Sequence, residues 1–463
     1  MNSRNCFILF VFFALTGWSC KKFVDIDPPP TRAESIKIFE QDESAISAAI
    51  GLYSKMLSSS LNTISGGAAL YTAMSSDELI NTAPNTVNDA FRTNSLLPTT
   101  GNYALNFWTL PYNYIFHANS VLEGLEASAT LSDSVRHQLK GEMLLTRSLL
   151  YFYLVNFFGD VPLVTTTDYR INSSMPRTAQ SIIYQRIISD VLLAQYLLKE
   201  SYPSANRFRP NKYTATALLA RLYLYTGQYS LADSASNAII QSGKYSLAPL
   251  ANVFSGASSN ETIWQLMRDN GNTNEAGSFI PFTAGSRPGF QLTTQLFVSF
   301  EANDQRKLTT ANGWLGKITV SGVDYYYPNK YKLRALSSGT APTEFLIVFR
   351  LAEQYLIRAE SRLHAGNISG AIQDLNIIRV RAGLPALSLL LPAEQTRLAI
   401  QQERRIEFFA EWGHRWLDLK RTGMASSVLA PIKGAAWQDT DVLYPLPQSE
   451  MNVNPFLTQN PGY

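Results

Sequence analysis

Cysteine is almost missing from this chain of 463 residues, which has only two, Cys6 and Cys20. Cys6 falls inside an apolar amino-terminal run, so from Cys20 onward there is no second thiol. That excludes an intramolecular disulfide and a thiolate metal cluster. Histidine is nearly as scarce, with His117, His137, His364 and His414 the full set of 4. No two of these stand at metal-ligand spacing. Charge is low at 16% of residues, and setting aside Arg4 of the leading segment leaves 38 basic against 36 acidic residues. A chain so near balance has no electrostatic reason to seek nucleic acid or an anionic surface. No apolar run approaches the roughly twenty residues a membrane-spanning helix needs. A glycine-rich phosphate loop and a nucleophile elbow are also missing, so no cofactor is expected.

What is there begins at the amino terminus. Asn2, Ser3 and Arg4 precede the 10 apolar residues Cys6 to Leu15, and Thr16, Gly17 and Ser19 lead into Cys20. This is the pattern of a secretory signal over residues 1–19. The cleavage region resembles a bacterial lipobox, in which the cysteine is lipidated and becomes the first residue. Gly17 and Trp18 depart from the usual residues of that motif. Lys21, Lys22, Asp25, Asp27 and Pro28 to Pro30 follow, and residues 20–34 read as a lipidated start and a semi-rigid proline-rich tether. The expected outcome is a protein held to a membrane but not embedded in it.

The remainder, 35–463, reads as one mainly α-helical domain in three stretches: a helical half to about 250, a loop-rich insertion over 251–345, and helices with an extended strap over 346–463. Aromatics are plentiful, with 23 Tyr, 24 Phe and 7 Trp, enough to leave some for stacking on a ligand. Apolar spacing predicts helices over 41–57, 107–125 and 141–158, the last stopped by Gly159-Asp160-Val161-Pro162. Two segments repeat each other: Ala220, Gly227 and Ala232 recur as Ala359, Gly366 and Ala371 at the same spacings. Small residues there let antiparallel helices approach closely, as in tetratricopeptide-like pairs. Lys317 to Val320, Ser321-Gly322 and Val323 to Tyr325 alternate about a two-residue turn and predict a β-hairpin.

Four stretches carry a family resemblance: RSLLYFYLVNFFGDVPLV from Arg147, RLAEQYLIRAESRLHAG with NIIRVRAGL from Arg350, ERRIEFFAEWGHRWLDLKRTG from Glu403, and YPLPQSEM with QNPGY at the end. In sequence and order they resemble the SusD/RagB outer-membrane lipoproteins of Bacteroidetes-type bacteria. The resemblance implies a tetratricopeptide-like scaffold. It further implies a non-enzymatic surface lipoprotein that binds an oligo- or polysaccharide and serves a SusC-like TonB-dependent transporter, with lipidation at Cys20. A peptide or other non-sugar nutrient would suit the same kind of complex.

Glu403, Glu407 and Glu411 stand at i, i+4 and i+8, and paired carboxylates do the acid–base work of glycosidases. Carboxylates about 6 Å apart along one helix face do not enclose a substrate, however. Arg404, Arg405 and Arg415 are near enough to neutralise them, so the six are read as a structural network and no catalytic residue is assigned. Sugar binding needs flat aromatic faces and polar hydrogen-bonding groups, which loops on a rigid scaffold supply. Two regions qualify. One, 77–106, offers Asp77, Phe91, Arg92, Asn102 and Tyr103; the other, the loop-rich middle, offers Phe290, Trp314 and Tyr326. Trp314, between Gly313 and the predicted hairpin, is the leading candidate, and Trp437 a further one.

Overall fold

The computed structural model describes residues 37–256, 259–269, 271–335 and 340–463. The expected signal segment, Cys20 and the tether lie outside the described residues. Helix α1, Asp42–Ser58, carries Asp42 and Glu43 in its first turn and Lys55 in its last, each favourable to the helix dipole. After α2 (Ala68–Ser75) and α3 (Thr86–Thr93) come α4 (Leu110–Ala127) and α5 (Asp133–Phe158). Ser132 caps α5 through its side chain, and every residue from Gly141 to Phe158 is buried. Such a helix must be covered on all sides. It is packed by α1, α4 and, beyond the short turn α6 (Tyr169–Asn172), by α7 (Gln180–Leu197).

The two sequence repeats are two helical hairpins stacked on each other. The first is α8 (Lys212–Tyr225) with α9 (Tyr229–Gln241). After the short α10 (Asn274–Phe279) and α11 (Thr294–Ser299), the second is α12 (Leu351–His364) with α13 (Ile368–Arg381). Ala220, Ala232, Ala359 and Ala371 are all at 0% exposure, so the helices meet backbone to backbone at these points. Gly227 and Gly366 turn each hairpin at φ of +70° and +79°, where a side chain would cost about 1 kcal/mol. Helix α9 packs on α12 and joins the repeats into one layer with α7.

Strands form three two-stranded antiparallel sheets among the described residues. The expected hairpin is β4 (Leu315–Val320) and β5 (Val323–Pro328), with Ser321 and Gly322 both at positive φ, as a tight primed turn requires. Strand β2 (Thr262–Leu266) pairs with β6 (Leu346–Arg350), and both are buried throughout. Strand β1 (Leu79–Asn81) pairs with β3 (Phe290–Leu292) across more than two hundred residues of chain.

The stretch from Glu403 differs from expectation. Helix α14 runs Ala393–Glu407 and stops; α15 resumes at His414 and ends at Arg421. Between them Ala410, Trp412 and Gly413 have φ of +52°, +49° and +75°. The break is fixed from outside the segment: Glu78 accepts the Ala410 amide, and the Trp412 indole donates to the Ile347 carbonyl at 2.6 Å. Glu411 is therefore not on the helix that carries Glu403 and Glu407. The chain continues through α16 (Ala425–Lys433) and two short 3-10 turns, Gly434–Ala436 and Asp439–Val442, to the carboxy-terminal strap, which contains one short helix, α17 (Gln448–Val453). Tyr444 anchors the strap, stacked on Phe157 at 5.4 Å and on Trp416 at 6.1 Å.

Candidate functional site

The charged residues of the Glu403 stretch lie in a buried seam. Arg350 donates to Glu261 at 3.0 Å, to Glu407 at 2.5 Å and to Glu411 at 2.9 Å. Arg306 reaches Asp304, Glu403 and Glu407 within 2.9 Å, and Arg381 bridges Glu261 and Glu407. Lys330 pairs with Glu411 among the rings of Trp314, Phe254 and Phe409. Burial alone would raise the Glu407 carboxyl, but Arg381, Arg350 and Arg306 outweigh it and hold the group far below its usual range. A carboxylate locked in that state neither gives nor takes a proton near neutral pH.

The arginines read as partners of those glutamates have other partners. Arg405 and Arg415 both bind Asp77, at 2.7 and 2.8 Å, and Arg404 binds Asp418 at 2.7 Å. Arg415 therefore does not neutralise Glu411, which pairs with Lys330 and Arg350 across the break after Glu407. Beside Asp77, Glu78 is pushed up to about 8 by burial and by the neighbouring charge.

Most aromatics proposed as ligand platforms are core. Trp314 is 1% exposed, and its indole donates to the Leu250 carbonyl at 3.0 Å while Phe254 packs edge-on. Phe91 stacks on Tyr71 at 4.5 Å and meets Tyr444 edge-on. Tyr103 is buried and donates its hydroxyl to the Pro445 carbonyl of the strap. Trp437 is 8% exposed and packs on Trp416. Asp77 is buried between its two arginines. A side chain already enclosed on both faces cannot stack on a sugar, so these five are corrected from contact residues to framework. Asn102 is exposed; Arg92 is half-exposed and folded back onto Asp89 at 3.1 Å.

The two regions singled out in the sequence nevertheless meet. Asn81 of β1 stands opposite Phe290 of β3. The Thr82 amide donates to Gly289 at 3.0 Å, and Thr293 donates to the carbonyls of Glu78 and Asp77. The hairpin lies beside this pairing, β5 packing along β3. Tyr326 packs against Phe297 in a tilted pair at 4.3 Å, with Lys307 over the same phenyl ring at 4.3 Å and Lys317 5.7 Å from the Tyr326 ring. Tyr325 and Tyr327 point to the other face of the hairpin, half-exposed, with no hydrogen-bond partner for either hydroxyl among the described residues. Phe290 is half-exposed as well. Phe282, in the loop that feeds β3, is 79% exposed and holds Arg334 5.1 Å from its ring.

Half-exposed Phe290, Tyr325 and Tyr327 on neighbouring strands, with exposed Phe282 in the loop that leads to β3, make up the candidate rim. Sequence reading missed Phe282 as an individual; its signal was an aromatic set alone among Pro281, Thr283, Gly285 and Ser286. A concavity of about 950 Å³ lies elsewhere, beside Ser120, Thr167 and Tyr169. Among the described residues no group of three or more His, Cys, Asp or Glu is placed to hold a metal, and no helix is long and apolar enough to cross a membrane.

Comparison with known proteins agrees with this architecture. Residues 51–224 match the family described as "Starch-binding associating with outer membrane", and residues 261–463 match the SusD family. SusD-like protein P25 of Formosa agariphila is 26% identical, over 98% of this chain and 99% of that protein. A SusD superfamily protein of Bacteroides vulgatus superposes with a TM-score of 0.79 at 20% identity, covering 92% of this chain and 100% of the other. A laminarin-binding SusD-like protein superposes with a TM-score of 0.72 at 24% identity, covering 91% and 99%. At these identities the two superpositions speak for the fold.

Proposed function

Because this chain belongs to the SusD/RagB family, we propose that it captures a glycan on the aromatic rim and delivers it to a SusC-like TonB-dependent transporter of the outer membrane. Lipidated Cys20 holds it at the cell surface, and it catalyses no reaction. One observation carries the reading: the β1–β3 pairing sets Phe290 and the Phe282 loop beside a hairpin whose Tyr325 and Tyr327 hydroxyls are free. Aromatic faces pack against the C–H faces of sugars, and free hydroxyls replace the water those sugars lose. An open rim also suits a polymer, which must pass through the site without being swallowed by it.

The test is calorimetric titration of the mature chain carrying Cys20→Ser against laminarin, starch and other polysaccharides. Saturable binding that Phe282→Ala and Tyr325→Ala both weaken supports the rim. Binding that neither substitution alters sinks it, and silence across the panel moves the cargo out of the glycan class. Cys20→Ser is expected to release the protein from membranes in cell fractionation; retention in the membrane pellet would refute the anchor.

A further inference from the structure

Strand β4 carries a glycine, Gly316, directly opposite Tyr327 of β5. Glycine weakens a strand and often marks a place where another group comes close. Here that group is the Tyr327 ring: a Cβ at Gly316 would collide with Tyr327 Cε2, Cζ and Oη. Both ring carbons would be nearer than the hydroxyl oxygen, which is the geometry of an approach from above the ring plane. An edge-on approach would bring Oη nearest. The ring therefore lies flat on the bare backbone of β4, and Gly316 beneath it is buried.

This posture leaves one aromatic face open. Tyr327 is half-exposed, and the strand covers the face turned toward Gly316, so the accessible face is the one turned away from the hairpin. Among the described residues no other ring and no cation packs on it. Tyr326, on the opposite face of the hairpin, is by contrast taken up by Phe297 and Lys317. Tyr325 shares the Tyr327 face, two residues away and about 7 Å along the strand. Opposite Tyr325 stands Ile318, a branched side chain where Tyr327 has bare backbone, and this denies Tyr325 the same flat posture.

A tyrosine laid over a strand glycine also repairs the strand, a role that needs no ligand. The open face adds something that repair does not use. A flat ring offers its whole π surface to the C–H face of a sugar, whereas an upright ring offers only an edge. Resting on the glycan reading of the rim, we propose that Gly316 is a positioning residue that lays Tyr327 flat as the floor for one pyranose ring of a linear glycan. The chain runs along β5, and its next residue meets Tyr325. The site selects chains of two or more sugar residues over a single sugar.

The experiment is calorimetric titration of the mature Cys20→Ser chain with laminarihexaose, maltohexaose and D-glucose. At least one hexaose is expected to saturate, with glucose about tenfold weaker or more. Tyr327→Ala should weaken that hexaose about tenfold, and Tyr327→Phe by less than about threefold, because the face is kept. Gly316→Ala, whose methyl lifts the ring, should weaken it as much as Tyr327→Ala does. The double variant should be no worse than either alone, the non-additivity of two residues that act as one. Amide hydrogen exchange in β4 and β5 checks that the hairpin stays paired in each variant. If Phe282→Ala weakens the hexaose while Gly316→Ala and Tyr327→Ala both leave it unchanged, the rim stands and the platform is overturned. Additive losses in the double variant, or glucose binding as tightly as the hexaoses, overturn it too. Failure of the wild type to bind either hexaose also overturns the platform, and binding of another polysaccharide in that case still leaves the rim.

Discussion

The seam around Glu407 and the rim around Phe282 invert the usual placement of side chains. The seam puts at least four carboxylates and four cations in the dry interior; the rim leaves Phe282 79% exposed in water. The inversion is explained by what each group lacks. A buried charge is tolerable only with its partners complete, so the seam tolerates no change and no ligand. An exposed ring has lost nothing yet, so its burial energy is still available when something covers it. In this scaffold the buried charges are structural, and it is the exposed aromatic surface on which the proposed function rests, the reverse of a first guess from residue chemistry.

The sharpest way to break the comparison is Arg350→Met. It strands Glu261, Glu407 and Glu411 without their shared cation and should cost about 3–5 kcal/mol in urea unfolding. A loss below about 1 kcal/mol would mean that the seam is not what holds α14 to β6. Trp314→Ala follows, at roughly 3–5 kcal/mol by thermal or urea unfolding, because it empties a packed site and unpairs the Leu250 carbonyl. If stability held and glycan binding fell, Trp314 would belong to the rim after all.

Glu78 probes a buried acid that stands outside the seam, with Oε1 unpartnered. Its folded pKa of about 8 lies above its unfolded value, so between the two the folded chain binds more protons than the unfolded one. Its contribution is complete at low pH and is lost as pH rises through about 8. Relative to wild type, Glu78→Gln should therefore gain stability from pH 5 to 8, by up to about 1.4 kcal/mol per pH unit. Parallel pH profiles for the two proteins would place the carboxyl in a polar setting. Phe282→Ala has the smallest expected effect: stability within about 0.5 kcal/mol of wild type, and glycan affinity lower by about 0.5–1.5 kcal/mol in titration calorimetry.

Much of the scaffold was legible in the sequence. The alanine and glycine spacings marked both helical hairpins, and the Ser321-Gly322 turn fixed the register of β4 and β5, because these are local rules. The break after Glu407 was not legible: Phe408 to Trp412 reads as continued helix, and the positive φ of Ala410 and Trp412 is set by Glu78 and Ile347. The rim was legible as two regions and not as residues. Trp314 and Phe282 occupy equally glycine-rich stretches, and only the tertiary partners of Trp314, the Leu250 carbonyl and the Phe254 and Lys330 side chains, separate core from surface.

The β1–β3 pairing has a kinetic consequence. Thr82 and Gly289 are 207 residues apart in the chain, so the rim closes a long loop. Helical hairpins such as α8–α9 form from neighbours and need no such search. Binding competence should therefore trail helix content during refolding, and a chain arrested with its solenoid formed but its strands unpaired would look folded by circular dichroism while capturing nothing.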